Sequence, residues 1–138
     1  MKRLVLFAFL VSLLPSLNAA TLAASNGTMA LPNCVGKPEV RPTEVVITCA
    51  DAGITARKLR WTGWGEPFAA ALGTMSVNDC KPYCAAGHFH NYSVIVVASG
   101  KQRCPDGTAA YRTVTYAYVG KGPENGSPTM DFPCKPRH

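Results

Sequence analysis

Apolar and polar positions alternate with a period of two along several short segments of this chain, and turn-forming residues separate those segments. Residues 44–49, EVVITC, are dense in β-branched side chains and lie between Pro42 and an Asp51 to Gly53 turn, which suits a buried strand. Further on, Ile54 and Ala56 share one parity whereas Leu59 and Trp61 share the other. A strand crossing that switch needs a bulge near Arg57 or Lys58, or divides into two. In residues 73–77, Met75 and Val77 fall on one face and Thr74 and Ser76 on the other. Residues 91–99, NYSVIVVAS, are nearly continuously apolar, and residues 110–120 alternate, with Val114, Tyr116 and Tyr118 opposite Thr113 and Thr115. The turn-rich stretch between them predicts a hairpin-like antiparallel pair. No segment of ten or more residues carries a helical stripe, and no repeat period is visible. The expected fold is all-β, a small antiparallel sandwich or barrel.

The two ends of the chain read differently. Lys2 and Arg3 precede an apolar run over residues 4–11 that continues through Leu13 and Leu14, and small residues follow at Ala19, Ala20, Ala23 and Ala24. That order describes a cleavable secretory signal over residues 1–23, since the apolar run is shorter than the roughly 20 residues a spanning helix needs. Residues 24–33 are small and polar and read as a flexible leader. A single β domain is expected over residues 34–120. The tail, residues 121–138, is broken by prolines and glycines and tied down by Cys134.

Composition changes this picture in two ways. Losing Lys2 and Arg3 lowers the formal net charge from +6 to +4, a mild excess whose cations are scattered except for Arg57, Lys58 and Arg60. They are not interleaved with aromatics as a single-stranded nucleic-acid platform would be, so nucleic acid is not an expected partner and a solvated strand edge is the better reading. Six cysteines remain: Cys34, Cys49, Cys80, Cys84, Cys104 and Cys134. An even number in an exported domain of about 115 residues points to three disulfides, because that compartment oxidises thiols and a small core benefits from cross-links. Cys49, Trp61 and Cys104 echo the cysteine, tryptophan, cysteine order of an immunoglobulin domain. However, the second cysteine arrives early, and Gln102 stands where a tyrosine corner needs Tyr.

Residues 80–90, CKPYCAAGHFH, carry the densest candidate chemistry. Cys80, Cys84, His88 and His90 are the right types for a tetrahedral zinc site, although one residue between the histidines is an unusual spacing. The competing reading is a Cys80 to Cys84 disulfide closed by a turn through Lys81, Pro82 and Tyr83, which oxidation after export favours. His88 and His90 are then free to act as general base, pH sensor or weak surface ligands. Asp79 is near in sequence, and Glu66 is the other carboxylate considered, but no motif fixes either against the rings. A protease-inhibitor loop presenting Lys81 and Tyr83 is argued against by Pro82, whose tertiary amide makes a poor scissile bond.

WTGWG at residues 61–65 is the second constellation. Both tryptophans can be core anchors. Alternatively, three positions apart on a strand means opposite faces, which sends Trp61 inward with Leu59 and Trp64 outward as a platform for a sugar or a protein. Nucleophile elbows, zincin helices and phosphate-cradling loops are absent, and no motif calls for a cofactor. Asn26 and Asn91 lie in glycosylation sequons.

Taken together, PTEVVITCAD, WTGWG and NDCKPYCAAGHFH resemble a set of small secreted bacterial proteins with a Cys-Ala-Asp strand, a W-x-x-W-G segment and a C-x-P-x-C-A-x-G loop. The likeness spans roughly residues 34–97. It implies an exported protein from a group with no assigned activity. It also implies the pairing Cys34 with Cys49, Cys80 with Cys84, and Cys104 with Cys134, one of fifteen connectivities open to six cysteines. Ala52 and Gly53 depart from the Gly-Asn turn common in that set.

The expected function is a non-catalytic binding module, secreted or at the outside of the cell envelope, with no stable membrane anchor once the signal is removed. Its ligand would be a protein or carbohydrate, with Trp61, Trp64, Tyr83, His88 and His90 as candidate contacts. The alternatives are a small hydrolase using His88 or His90, and a metal-binding protein using Cys80, Cys84, His88 and His90.

Overall fold

The structure is a computed structural model that describes residues 28–123 and 128–135, so the signal read in residues 1–23 lies outside the described residues. The strands are β1 (Leu31–Pro32), β2 (Pro38–Glu39), β3 (Glu44–Val46), β4 (Ile54–Thr62), β5 (Phe68–Asn78), β6 (Phe89–Arg103), β7 (Ala109–Tyr118) and β8 (Thr129–Asp131). Strands β3 to β8 form one antiparallel meander in which each pairs with the next, and β1 and β2 form a separate two-stranded sheet. The fold is the expected antiparallel β, curled into a half-barrel and closed by three disulfides.

Period-two patterning sets the inner face. Ala71, Val96 and Tyr116 sit side by side across β5, β6 and β7, as do Ala69, Ala98 and Val114, and all six are buried. Ala71 on β5 lies beside the larger Val96 and Tyr116, whereas Ala69 and Ala98 together leave room beside Val114. The parity switch in β4 is a bulge: pairing with β5 shifts between Arg57 and Arg60, and Lys58 has φ 55°. The bulge returns Leu59 to the core after Ala56. Residues 91–99 and 110–120 form the expected antiparallel pair within β6 and β7. Turn chemistry holds after Asp51, whose Oδ1 accepts the Gly53 N–H at 2.9 Å.

Both ends of the chain correct the sequence reading. Met29, Ala30 and Leu31 are buried, so the reading of residues 24–33 as a flexible leader fails from Met29 onward. Ala30 bridges Ala110 in parallel: its N–H donates to the Ala109 carbonyl at 3.0 Å and its own carbonyl accepts from Tyr111 N–H at 2.8 Å. β8 pairs with residues 113–115 of β7, so the tail does form a short regular element, and the buried Phe132 follows it. Gln102 fastens this end. Its Nε2 donates to the Tyr111 and Phe132 carbonyls at 2.8 and 2.7 Å, and its Oε1 accepts from Cys134 N–H at 3.2 Å. The residue that breaks the immunoglobulin pattern is thus a half-buried clamp on the end of the chain.

Candidate functional site

All six cysteines are consumed in the sequential pairing Cys34–Cys49, Cys80–Cys84 and Cys104–Cys134. The Cys80–Cys84 bond, with Cα atoms 3.7 Å apart, forms a small ring within the loop between β5 and β6, whose base is closed by the Asp79 N–H donating to the His88 carbonyl at 3.0 Å. Thiolates are therefore not available to join His88 and His90, and the four-ligand site considered for zinc does not assemble. Among the described residues, no group of three or more His, Cys, Asp and Glu side chains converges.

Two side chains hold the loop: Asp79, considered in the sequence only as a partner for the rings, and Asn78, which sequence reasoning missed. Asn78 Oδ1 accepts from Cys80 N–H at 2.9 Å, and its Nδ2 donates to the Cys84 carbonyl at 2.8 Å. Asp79 Oδ1 accepts from Lys81 N–H at 3.1 Å and from His88 N–H at 2.9 Å, while Oδ2 lies 3.0 Å from His90 Nε2. The His88 backbone N–H, then the His90 ring, then the Lys81 N–H hold the Asp79 carboxyl well below the usual carboxylate range. The only advance signal was the Asn-Asp pair before Cys80, residue types that bond to backbone two positions on. Cys80 itself has φ 51°, a left-handed conformation that the Asn78 bond and the disulfide together maintain.

This bracket presents side chains to solvent. Tyr83 is 63% exposed and Phe89, at the start of β6, is 57% exposed; His88 and His90 are exposed too. The loop carries one short 3₁₀ turn, Cys84–Ala86. Asp79 against His90 has the base-and-orienter form seen in hydrolases. Among the described residues, the His90 ring has no second hydrogen-bonded partner that could serve as nucleophile.

The tryptophans go the other way. β4 ends at Thr62 and Gly63 turns the chain at φ 67°, so strand parity does not extend to Trp64. Both indoles pack against the core, meeting edge to face at 4.9 Å, and Trp64 meets Tyr111 at 5.3 Å. Trp61 Nε1 donates to the Pro42 carbonyl at 2.7 Å and Trp64 Nε1 to the Met29 carbonyl at 2.8 Å. The Tyr111 hydroxyl donates to the Glu66 carbonyl and accepts from Gly65 N–H, both at 2.9 Å. Burial pushes the Tyr111 phenol up. The expectation of an outward Trp64 platform is thereby corrected, and the reading of both tryptophans as core anchors holds.

Away from the loop, a cavity of about 310 Å³ lies between β1 and β3, lined chiefly by Leu31, Pro32, Val45, Val46 and Phe132. A larger open groove of about 610 Å³ runs beside the β4 bulge and is lined by Lys58, Arg60, Leu72, Thr74, Ser93 and Val119, among others. No helix among the described residues is long and apolar enough to cross a membrane. No protein-family model matches this chain, and neither a curated protein nor a solved structure is detectably similar to it.

Proposed function

We propose that this protein is an exported, non-catalytic binding module that recognises its ligand, a protein or a carbohydrate, with the 80–90 loop. The observation that carries the reading is the exposure of Tyr83 and Phe89 on a loop held by a disulfide and by four hydrogen bonds from Asn78 and Asp79 to its backbone. Large aromatic side chains on a preorganised support bind with little ordering cost, since few torsions remain to be frozen. Three disulfides fit an oxidising location, and the secretory pattern of residues 1–23 adds the direction of travel.

The test immobilises the mature protein and screens glycan and peptide arrays, then repeats the measurement with Tyr83→Ala and Phe89→Ala. The expected result is at least a tenfold loss of affinity with thermal midpoints unchanged. Binding indifferent to both substitutions would overturn the assignment. The second reading, a hydrolase with His90 as base, is favoured by the Asp79 contact. It would prevail if ester or amide turnover were found that His90→Gln abolishes.

A further inference from the structure

The groove beside the β4 bulge begins with a missing side chain. At Gly73, a Cβ would lie 2.6 Å from the Arg57 carbonyl oxygen and 2.7 Å from Leu59 Cδ2, so glycine is what allows the bulged strand to close on β5. The bulge gives β4 one residue more than its partner and sets Lys58 and Arg60 along one side of the groove. The cations read in the sequence as a solvated strand edge are therefore only partly so. β3 flanks β4 as far as Arg57, which is paired with Glu44 at 3.5 Å. Lys58 and Arg60 make no ion pair among the described residues, and no carboxylate lines the groove.

The other wall is apolar and hydroxylated. Leu72 is 57% exposed and Val119 49%, and Ile95, also exposed, sits beside Leu72 across the β5–β6 ladder. Thr74 and Ser93 are neighbours in the next outward pair. These outer-face positions are where an antiparallel sheet facing water ordinarily carries polar residues.

We propose that this groove binds an acidic segment of a partner protein, in extended form, with an aliphatic side chain against Leu72 and Val119 and carboxylates on Lys58 and Arg60. Charge complementarity selects the occupant. A second copy packed face to face would bring like charges together, which costs rather than contributes. A bilayer is too flat to reach the floor of a groove, whereas an extended chain can enter it. Nucleic acid would be expected to meet stacking aromatics, and none lines this groove. The site is separate from the 80–90 loop and stands without that assignment.

The experiment uses fluorescence anisotropy with a fluorescein-labelled decapeptide carrying two Glu-Glu-Leu triplets in a Ser-Gly frame. Binding is expected to fall at least tenfold for Lys58→Glu with Arg60→Glu, severalfold for Leu72→Ser, and with rising salt. Tyr83→Ala is expected to leave it unchanged, which separates this site from the loop. Lys58→Gln with Arg60→Gln serves as the milder variant, with thermal midpoints confirming the fold. The proposal is overturned if a Gln-for-Glu peptide binds equally well, if the charge-reversed protein binds as wild type does, or if anionic phosphatidylglycerol vesicles bind while the peptide does not.

Discussion

The Trp64 indole N–H donates to the carbonyl of Met29, 35 residues earlier, at 2.8 Å. This bond ties the start of the described chain to the turn after β4, and Trp64 in turn packs edge to face on Trp61 and Tyr111. Replacing Trp64 with Phe keeps most of the packing but strands the Met29 carbonyl, a loss of about 1–3 kcal/mol. Trp64→Ala should cost about 3–5 kcal/mol. Urea unfolding of the two variants would check both the order and the size.

A disulfide restricts the unfolded chain more the longer the loop it closes. Cys104–Cys134 spans 30 positions and Cys80–Cys84 only 4. Their removal by paired Ala substitution should therefore cost about 4 and about 2 kcal/mol respectively. The smaller loss should be accompanied by faster hydrogen exchange at Lys81 and His88, whose N–H groups both bond to Asp79. Equal global losses with no change in loop exchange would contradict the view that the small ring acts locally.

Acid should loosen the loop through Asp79. The folded carboxyl is held well below the usual range, so the anion is favoured in the folded protein. The stability it contributes is present above the unfolded carboxylate pKa and is lost as pH falls, from about pH 4 downward. Wild type should lose stability over that window faster than Asp79→Asn. Parallel acid-titration curves for the two proteins would refute the linkage.

Alkali should act on the tyrosine group formed by Tyr92, Tyr116 and Tyr118, whose rings meet edge to face. Burial, and then the neighbouring Tyr116, push the Tyr118 phenol up to about 12. An unfolded tyrosine ionises near 10, so this contribution is complete below about pH 10 and is lost as pH rises towards 12. Tyr118→Phe should flatten that decline, and ultraviolet titration of the phenolate should show a late-titrating group missing from the variant.

Several elements were legible because their physics is local. The parity break between Ala56 and Leu59 located the bulge, since side chains alternate along any strand and only an inserted residue changes the phase. The near-continuous apolar run at residues 91–99 was legible as a strand but not as a surface: Val94, Val96 and Ala98 are buried while Ile95 faces out beside the groove. The alternative of an outward Trp64 carried strand parity past Thr62, where Gly63 turns the chain. The loop candidates Tyr83, His88 and His90 were found by residue type, yet their support was not. Asn78 meets Phe89 in register, so the β5–β6 pairing sets Asp79 against His88 and His90 from across the hairpin.

Local patterning alone was enough to read an antiparallel β fold and the place where strand phase shifts, and the even cysteine count favoured disulfides over a zinc site at residues 80–90. Side-chain alternation and turn chemistry depend on neighbours within a few residues, which is why they could be read there. Long-range packing, by contrast, placed Met29 to Leu31 in the core, turned both tryptophans against it, and left Lys58 and Arg60 bordering an open groove. Those outcomes depend on contacts between residues tens of positions apart, such as Ala30 with Ala110 and Leu72 with Ile95, and, the β6–β7 hairpin apart, no local pattern told which strands would meet.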